Sequence, residues 1–215
     1  MALFRSSTDP VPAPGVASAP LTRHSSGLAE VSRYCAANPA LSILDLGPTS
    51  TLNLHYFAER GHRIYSEDLL RASADPALLL PAEDGPPVVD GKRFLAENLA
   101  YSGVTFDLVV CWNLADYMEE SLVKPAVARL WSLMSPGGML LAFFHTQEAG
   151  PNMPCPRYHI VSDDSLQVQT QHAGSASLPL QRVFQNRHIE NLFRDFASIR
   201  FFIARDHIRE VLAIR

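Results

Sequence analysis

Glycine is in short supply in this chain, with 11 residues against 16 prolines in a total of 215. A glycine-rich phosphate cradle must therefore be built from few residues. Paired cysteines are missing too: Cys35, Cys111 and Cys155 form an odd, widely spaced set without a C-x-x-C step. That pattern fits neither a disulfide framework nor a zinc site, and implies reduced thiols in a cytoplasmic setting. Excess positive charge is lacking, since 18 Lys and Arg stand against 22 Asp and Glu for a net charge of -4. No bulk field is present to hold nucleic acid or anionic lipid. No run approaches the ~20 apolar residues of a membrane span. The first residues offer one arginine, Arg5, ahead of proline-rich sequence, with no signal-peptide core.

What is there is one domain's worth of apolar residues, 47% of the chain, with 19% charged. Residues 1–26 carry Pro10, Pro12, Pro14 and Pro20 among Ala, Ser and Thr. Such a composition buries too little to offset chain entropy, so a disordered tail is expected there, followed by a domain over 27–215. Leu28, Val31 and Cys35 have helical spacing that stops at Asn38-Pro39. Ser42 to Leu46 is an apolar run ended by Gly47-Pro48 and followed by a helical pattern, Leu54, Phe57, Ala58. Arg63 to Ser66 gives a second short strand that exits through Glu67-Asp68, and four prolines mark residues 71–91 as an irregular connection.

Phe106 to Trp112 and Met139 to Phe144 are apolar on both faces, as central parallel strands are, with a helical pattern between them. An insertion is expected over 146–180, holding a hairpin near Tyr158 to Gln171. A helix through Ile189, Leu192, Phe193 and Phe196 follows, with Asn186 as its N-cap. Ser198 to Ala204 and Ile208 to Ile214 are strands joined by three residues, too few for a parallel crossover, so they must pair antiparallel. Alternating strands and helices imply a doubly wound α/β sheet, and ligands of such sheets lie at the carboxyl ends of the strands.

Taken together, ILDLG, the acid at the exit of strand two, FDLVVCWNLADYM, RLWSLMSPGGMLLAFF and the terminal hairpin resemble the class I S-adenosylmethionine (SAM)-dependent methyltransferases. The resemblance spans residues 28–215 in element order, with its specific motifs between Ile43 and Phe144. It implies a Rossmann-like, mostly parallel seven-stranded sheet and SAM-dependent methyl transfer to a small-molecule or macromolecular acceptor. Asp45, Gly47, Pro48 and Thr49 match the cofactor loop, and Asp68, or else Glu67, the acid that binds the ribose hydroxyls. Glu97 and Asn98 stand beside adenine, and Asn113 where the methyl group meets its acceptor. His145, at the end of the fifth strand, is the candidate base.

Thr49 and Thr51 stand where the family has glycines, and Leu95 where it has an adenine-contacting aspartate. These departures keep open a second class of function, a methyltransferase-like module that binds a partner without catalysis. An NAD-dependent oxidoreductase fits less well, because G-x-G-x-x-G is absent. Asp116 and Tyr117 have the pattern of a helix-start acid with an aromatic staple, and Trp112 and Trp131 that of core residues. The seven arginines of residues 182–215 alternate with acids as on a solvated face.

Overall fold

The computed structural model describes residues 21–82, 84–146, 155–170, 178–203 and 206–215. Strand β1 (Leu21–His24) leads into α1 (Ser26–Ala37), which starts where Ser25 accepts from Leu28 N at 3.0 Å. Ordered structure thus begins before residue 27; residues 1–20 of the expected tail lie outside the described residues. Next come β2 (Ser42–Asp45), α2 (Thr51–Ala58), β3 (Arg63–Ser66) and α3 (Leu69–Ser73). The proline-rich connection forms a 3-10 turn at Pro76–Leu78 and two-residue strands β4 (Leu79–Leu80) and β5 (Val88–Val89), which pair with each other alone.

Helix α4 (Gly91–Glu97), strand β6 (Phe106–Trp112), the single turn α5 (Leu114–Tyr117), α6 (Glu120–Leu133) and β7 (Met134–His145) complete the central unit. Beyond it lie β8 (Pro156–Ser162), β9 (Ser165–Thr170), α7 (Asn186–Leu192), β10 (Ser198–Ile203) and β11 (Ile208–Ile214). Helix α7 is capped at Gln185, not Asn186, and ends before Phe193 and Phe196, which still pack into the core.

The main sheet has the order β10-β11-β7-β6-β2-β3. Its β3, β2, β6 and β7 run parallel, whereas β11 is antiparallel to both β7 and β10. Among the described residues this sheet has six strands where seven are expected. Pro76, Pro81, Pro86 and Pro87 fall in the connection after β3, and proline has no N–H to give a ladder.

Both faces of the sheet are covered. Leu44, Val109, Cys111, Leu140, Ala142 and Phe144 enter one core with α3 to α7, and Ile43, Leu108, Val110, Leu141 and Phe143 the other with α1 and α2. On the second face a smaller sheet of order β1-β9-β8 joins the start of the chain to the expected insertion, whose hairpin is present. No helix among the described residues is long and apolar enough to cross a membrane.

One buried ionic cluster fastens the two ends of the domain. Glu210 of β11 is 1% exposed and accepts from Arg23 Nη2 at 2.7 Å, Ser25 Oγ at 3.0 Å and Gly27 N at 2.6 Å. Arg23 also meets Asp206 at 2.6 Å and lies over the Phe143 ring. A Cβ at position 27 would stand 2.6 Å from Leu141 Cδ1 and 3.0 Å from Glu210 Oε2, so a larger residue there must displace one of these side chains.

Candidate active site

Adjacent parallel strands β2 and β6 end together, and their carboxyl ends frame an open cleft. The loop after β2 supplies Leu46, Gly47 and Pro48; the end of β6 supplies Cys111, Trp112, Asn113 and Leu114. Leu70 of α3 and residues 155–158 at the start of β8 close the sides.

Asp45 lies beneath the loop, 1% exposed. Trp112 Nε1 donates to its Oδ1 at 2.7 Å and Asn53 Nδ2 to its Oδ2 at 3.1 Å. Burial pushes its carboxyl above the ordinary carboxylate range, against the pull of Asn53, Trp112 and the Gly47 amide. The indole that makes this bond also explains the one glycine of the loop: a Cβ on Gly47 would stand 2.8 Å from Trp112 Cδ1. Trp112 follows a register shift in the β6–β7 pairing and has φ of 47°, a left-handed conformation that costs a bulky residue about 1–3 kcal/mol. Trp112 is a core residue, as its sequence context leads one to expect, and it also bonds Asp45 and lines the cleft.

The two threonines leave the cleft open. Thr49 is exposed, with its hydroxyl 3.3 Å from Ser66 Oγ, and Thr51 is exposed on the first turn of α2. Ser50 between them caps α2 and lies 2.7 Å from His159 Nδ1, while Arg157 donates to the Thr49 carbonyl. Asn53 ties the same loop to the hairpin, accepting from Ile160 N at 2.8 Å. The hairpin thus braces the loop, a contact between segments about a hundred residues apart that no local pattern announces.

The candidate acids are placed unequally. Glu67 is half-buried, raised by that burial, and accepts from Tyr101 Oη at 3.0 Å. Asp68 caps α3, accepting from Arg71 N at 3.0 Å. Neither forms part of the cleft wall, though Leu70 just beyond them does. Glu97 pairs with Arg93 at 2.7 Å on the exposed side of α4, and Asn98 bonds back to Phe94 O at 2.8 Å. The structure does not bring Glu97 or Asn98 to the cleft.

At the other end, a buried polar group backs the cleft. Asn113 is 1% exposed, Asp116 0% and His145 3%. Asp116 Oδ2 accepts from His145 N at 2.7 Å and Asn113 Nδ2 at 3.1 Å, and lies 2.8 Å from His145 Nδ1. Tyr158, fully buried and stacked on Trp112 at 5.2 Å, donates to Asn113 Oδ1 at 2.5 Å. Burial pushes the Asp116 carboxyl up, opposed by the hydrogen bonds from His145. Asp116 does stand in the first turn of α5, and beyond that its carboxylate organises Asn113 and His145 while its carbonyl accepts from Gln181 N and Arg182 N at 2.8 and 3.1 Å. Asn113 reaches the cleft wall, whereas His145 stands behind it.

The raised Asp45 carboxyl has a consequence for stability. A proton held more tightly in the folded state than in the unfolded one makes stability fall as pH rises above the ordinary aspartate value of about 4. Between that pH and the elevated folded value, D45N is expected to gain on the native chain as pH rises. A constant loss is superimposed, because one amide hydrogen of the variant must face the donor of either Asn53 or Trp112. Urea unfolding across pH 4 to 8 checks this; a pH-independent difference overturns it.

No family model matches the chain. The ubiquinone biosynthesis O-methyltransferase of Mesorhizobium japonicum is 30% identical over 107 residues, 49% of this chain and 42% of that protein. The chain therefore matches less than half the length of this curated relative. Among solved structures, Streptomyces venezuelae DesVI superposes with a TM-score of 0.50 at 12% identity, over 87% of this chain and 88% of that one. The 1,6-didemethyltoxoflavin-N1-methyltransferase of Burkholderia thailandensis, solved with S-adenosylhomocysteine, gives 0.47 at 15% identity, over 88% and 78% of the two chains. The chain is similar to the class I SAM-dependent methyltransferases and has a methyltransferase-like α/β fold with a mixed sheet.

Proposed function

We propose that the chain binds SAM over the carboxyl ends of β2 and β6 and transfers its methyl group to a small-molecule acceptor. The cleft itself carries this reading: it lies where open α/β sheets take their ligands, its floor is the one loop glycine, and Thr49 and Thr51 do not enter it. The residues in and beside the cleft fit the cofactor in chemistry. Gly47 and Pro48, with Asp45 beneath, would hold the methionine part. Glu67 and Asp68 each carry a single side-chain hydrogen bond, which leaves a carboxylate oxygen for a ribose hydroxyl. Bound there, SAM supplies an electrophilic methyl group on a positively charged sulfur.

The chain's own part is alignment and exclusion of water. Leu46, Leu70, Leu114 and Tyr158 give the cleft apolar walls, and Asn113 gives it a fixed polar point. His145 acts through Asp116 and Asn113, as a positioning residue. Isothermal calorimetry of the full chain with SAM and with S-adenosylhomocysteine tests the reading. Binding by both is expected. A dissociation constant above about 1 mM for each, weaker than about -4 kcal/mol, overturns it.

A further inference from the structure

We propose that β10 is an interface strand whose occupant is the β10 of a second copy of this chain, paired antiparallel about a two-fold axis normal to the main sheet. Strand β10 (Ser198–Ile203) bonds β11 on one side and ends the sheet on the other, with no partner there among the described residues. Free N–H and C=O groups on such an edge recruit another strand, and proteins blunt it with lysine, proline, a bulge or a covering element. Strand β10 has neither lysine nor proline, and its register against β11 is unbroken. Ile203 is 78% exposed, more than any other large apolar residue among those described. The one charge on the strand does not guard it. Arg200 lies 3.1 Å from Glu30 of α1, and its guanidinium stands over the Phe202 ring at 5.6 Å, so the charge is compensated and turned onto one face of the sheet.

The occupant follows from the alternation of the strand itself. Ile199 and Phe201 pack on the face that carries α3 to α7, and Phe202 on the face that carries α1 and α2. A two-fold axis normal to the sheet keeps like faces together, so only residues of the same face stand opposite each other. Two such registers cover five of the six residues. One sets Arg200 against Arg200 of the second copy, and like charges directly opposite are destabilising. The other centres on Phe201, so that each Phe201 meets its counterpart, Ile199 meets Ile203 of the second copy, and Arg200 meets its Phe202. This register covers the exposed Ile203 on one face and sets a guanidinium beside an aromatic ring on the other. Strand β10 is thus complementary to itself, which singles out a second copy over a foreign strand. Strands β11 and β7 separate this edge from the cleft at β6 and β2, so the pairing leaves the cleft free and is independent of the methyl-transfer reading.

Sedimentation velocity of the full chain at about 100 μM is expected to show the mass of two chains, with dissociation on dilution. Ile203→Lys sets a charge against Ile199 of the second copy and is expected to weaken the pair about tenfold or more. Phe201→Cys is expected to crosslink to its counterpart on mild oxidation, because opposite residues hold their Cβ atoms about 4.5–5.5 Å apart, near disulfide reach. Arg200→Cys, which faces itself only in the rejected register, is expected not to. The native chain, in which Cys35 and Cys111 are buried and Cys155 half-buried, is the control for both. A single-chain mass, a pair that I203K leaves unchanged, or a pair that fails to crosslink through F201C or does so through R200C overturns the proposal. Where F201C fails to fold, the native mass and I203K, which alters an exposed side chain, decide.

Discussion

Glu210→Ala is expected to lower the free energy of unfolding by about 3–5 kcal/mol, the range for breaking a buried ion pair from one side. The side chains of Arg23 and Glu210 are 5% and 2% exposed, so removal of the carboxylate strands a guanidinium in the core. Asp206 offsets part of that charge at the rim. Two further donors, Ser25 Oγ and Gly27 N at the start of α1, lose their acceptor in the same step. E210Q keeps one carbonyl oxygen and is expected to fall between the two. Urea unfolding followed by circular dichroism measures both, and a loss below about 1 kcal/mol in E210A would place the cluster among weak surface pairs.

Asp116→Ala is the second large effect. One carboxylate oxygen accepts from the His145 backbone and from Asn113, and lies against the His145 ring, so alanine leaves up to three buried donors without a partner. Each unsatisfied donor costs about 1–3 kcal/mol, and neighbours in one network do not add fully, so a total of about 3–5 kcal/mol is expected. D116N should recover part of the loss because its carbonyl can still accept. The two variants also separate stability from function. At a temperature where D116N is folded, its side-chain resonance for Asn113 should lose the native shift, since the constraint on the amide is relaxed. An unmoved resonance would show that Tyr158 alone sets the orientation.

Much of the frame was legible because it rests on short-range pattern. The runs Ile43 to Leu46, Phe106 to Trp112 and Met139 to Phe144 are central strands because both of their faces are apolar. The closing pair was legible from a link too short for a parallel crossover, which admits only antiparallel pairing. What escaped depends on long-range pairing or on competition between partners. The seventh strand, expected from family order alone, has no counterpart in the main sheet among the described residues. Asp68 and Glu97 were chosen by family position, and the partners the structure gives them are local donors, Arg71 N and the Arg93 guanidinium. Asp116 was legible as a helix-start acid, but not its bond to His145, which lies 29 residues away. Arg23 and Glu210, 187 residues apart, left no trace in any window.

The strand order has a consequence for how the molecule comes into being. Strand β11, late in the chain, is the one that fills the slot between β7 and β10, and β10 has no other partner in the sheet. During synthesis β7 must wait with one edge unpaired, and β10 must wait with both, until β11 has emerged from the ribosome. Contacts this distant in sequence form slowly, and unpaired strand edges are where nascent chains associate wrongly. The Glu210 carboxylate arrives with the same strand, so the anchoring of Arg23 and the start of α1 is also postponed to that moment. The polar cluster is thus a late fastening as well as a stabilising one.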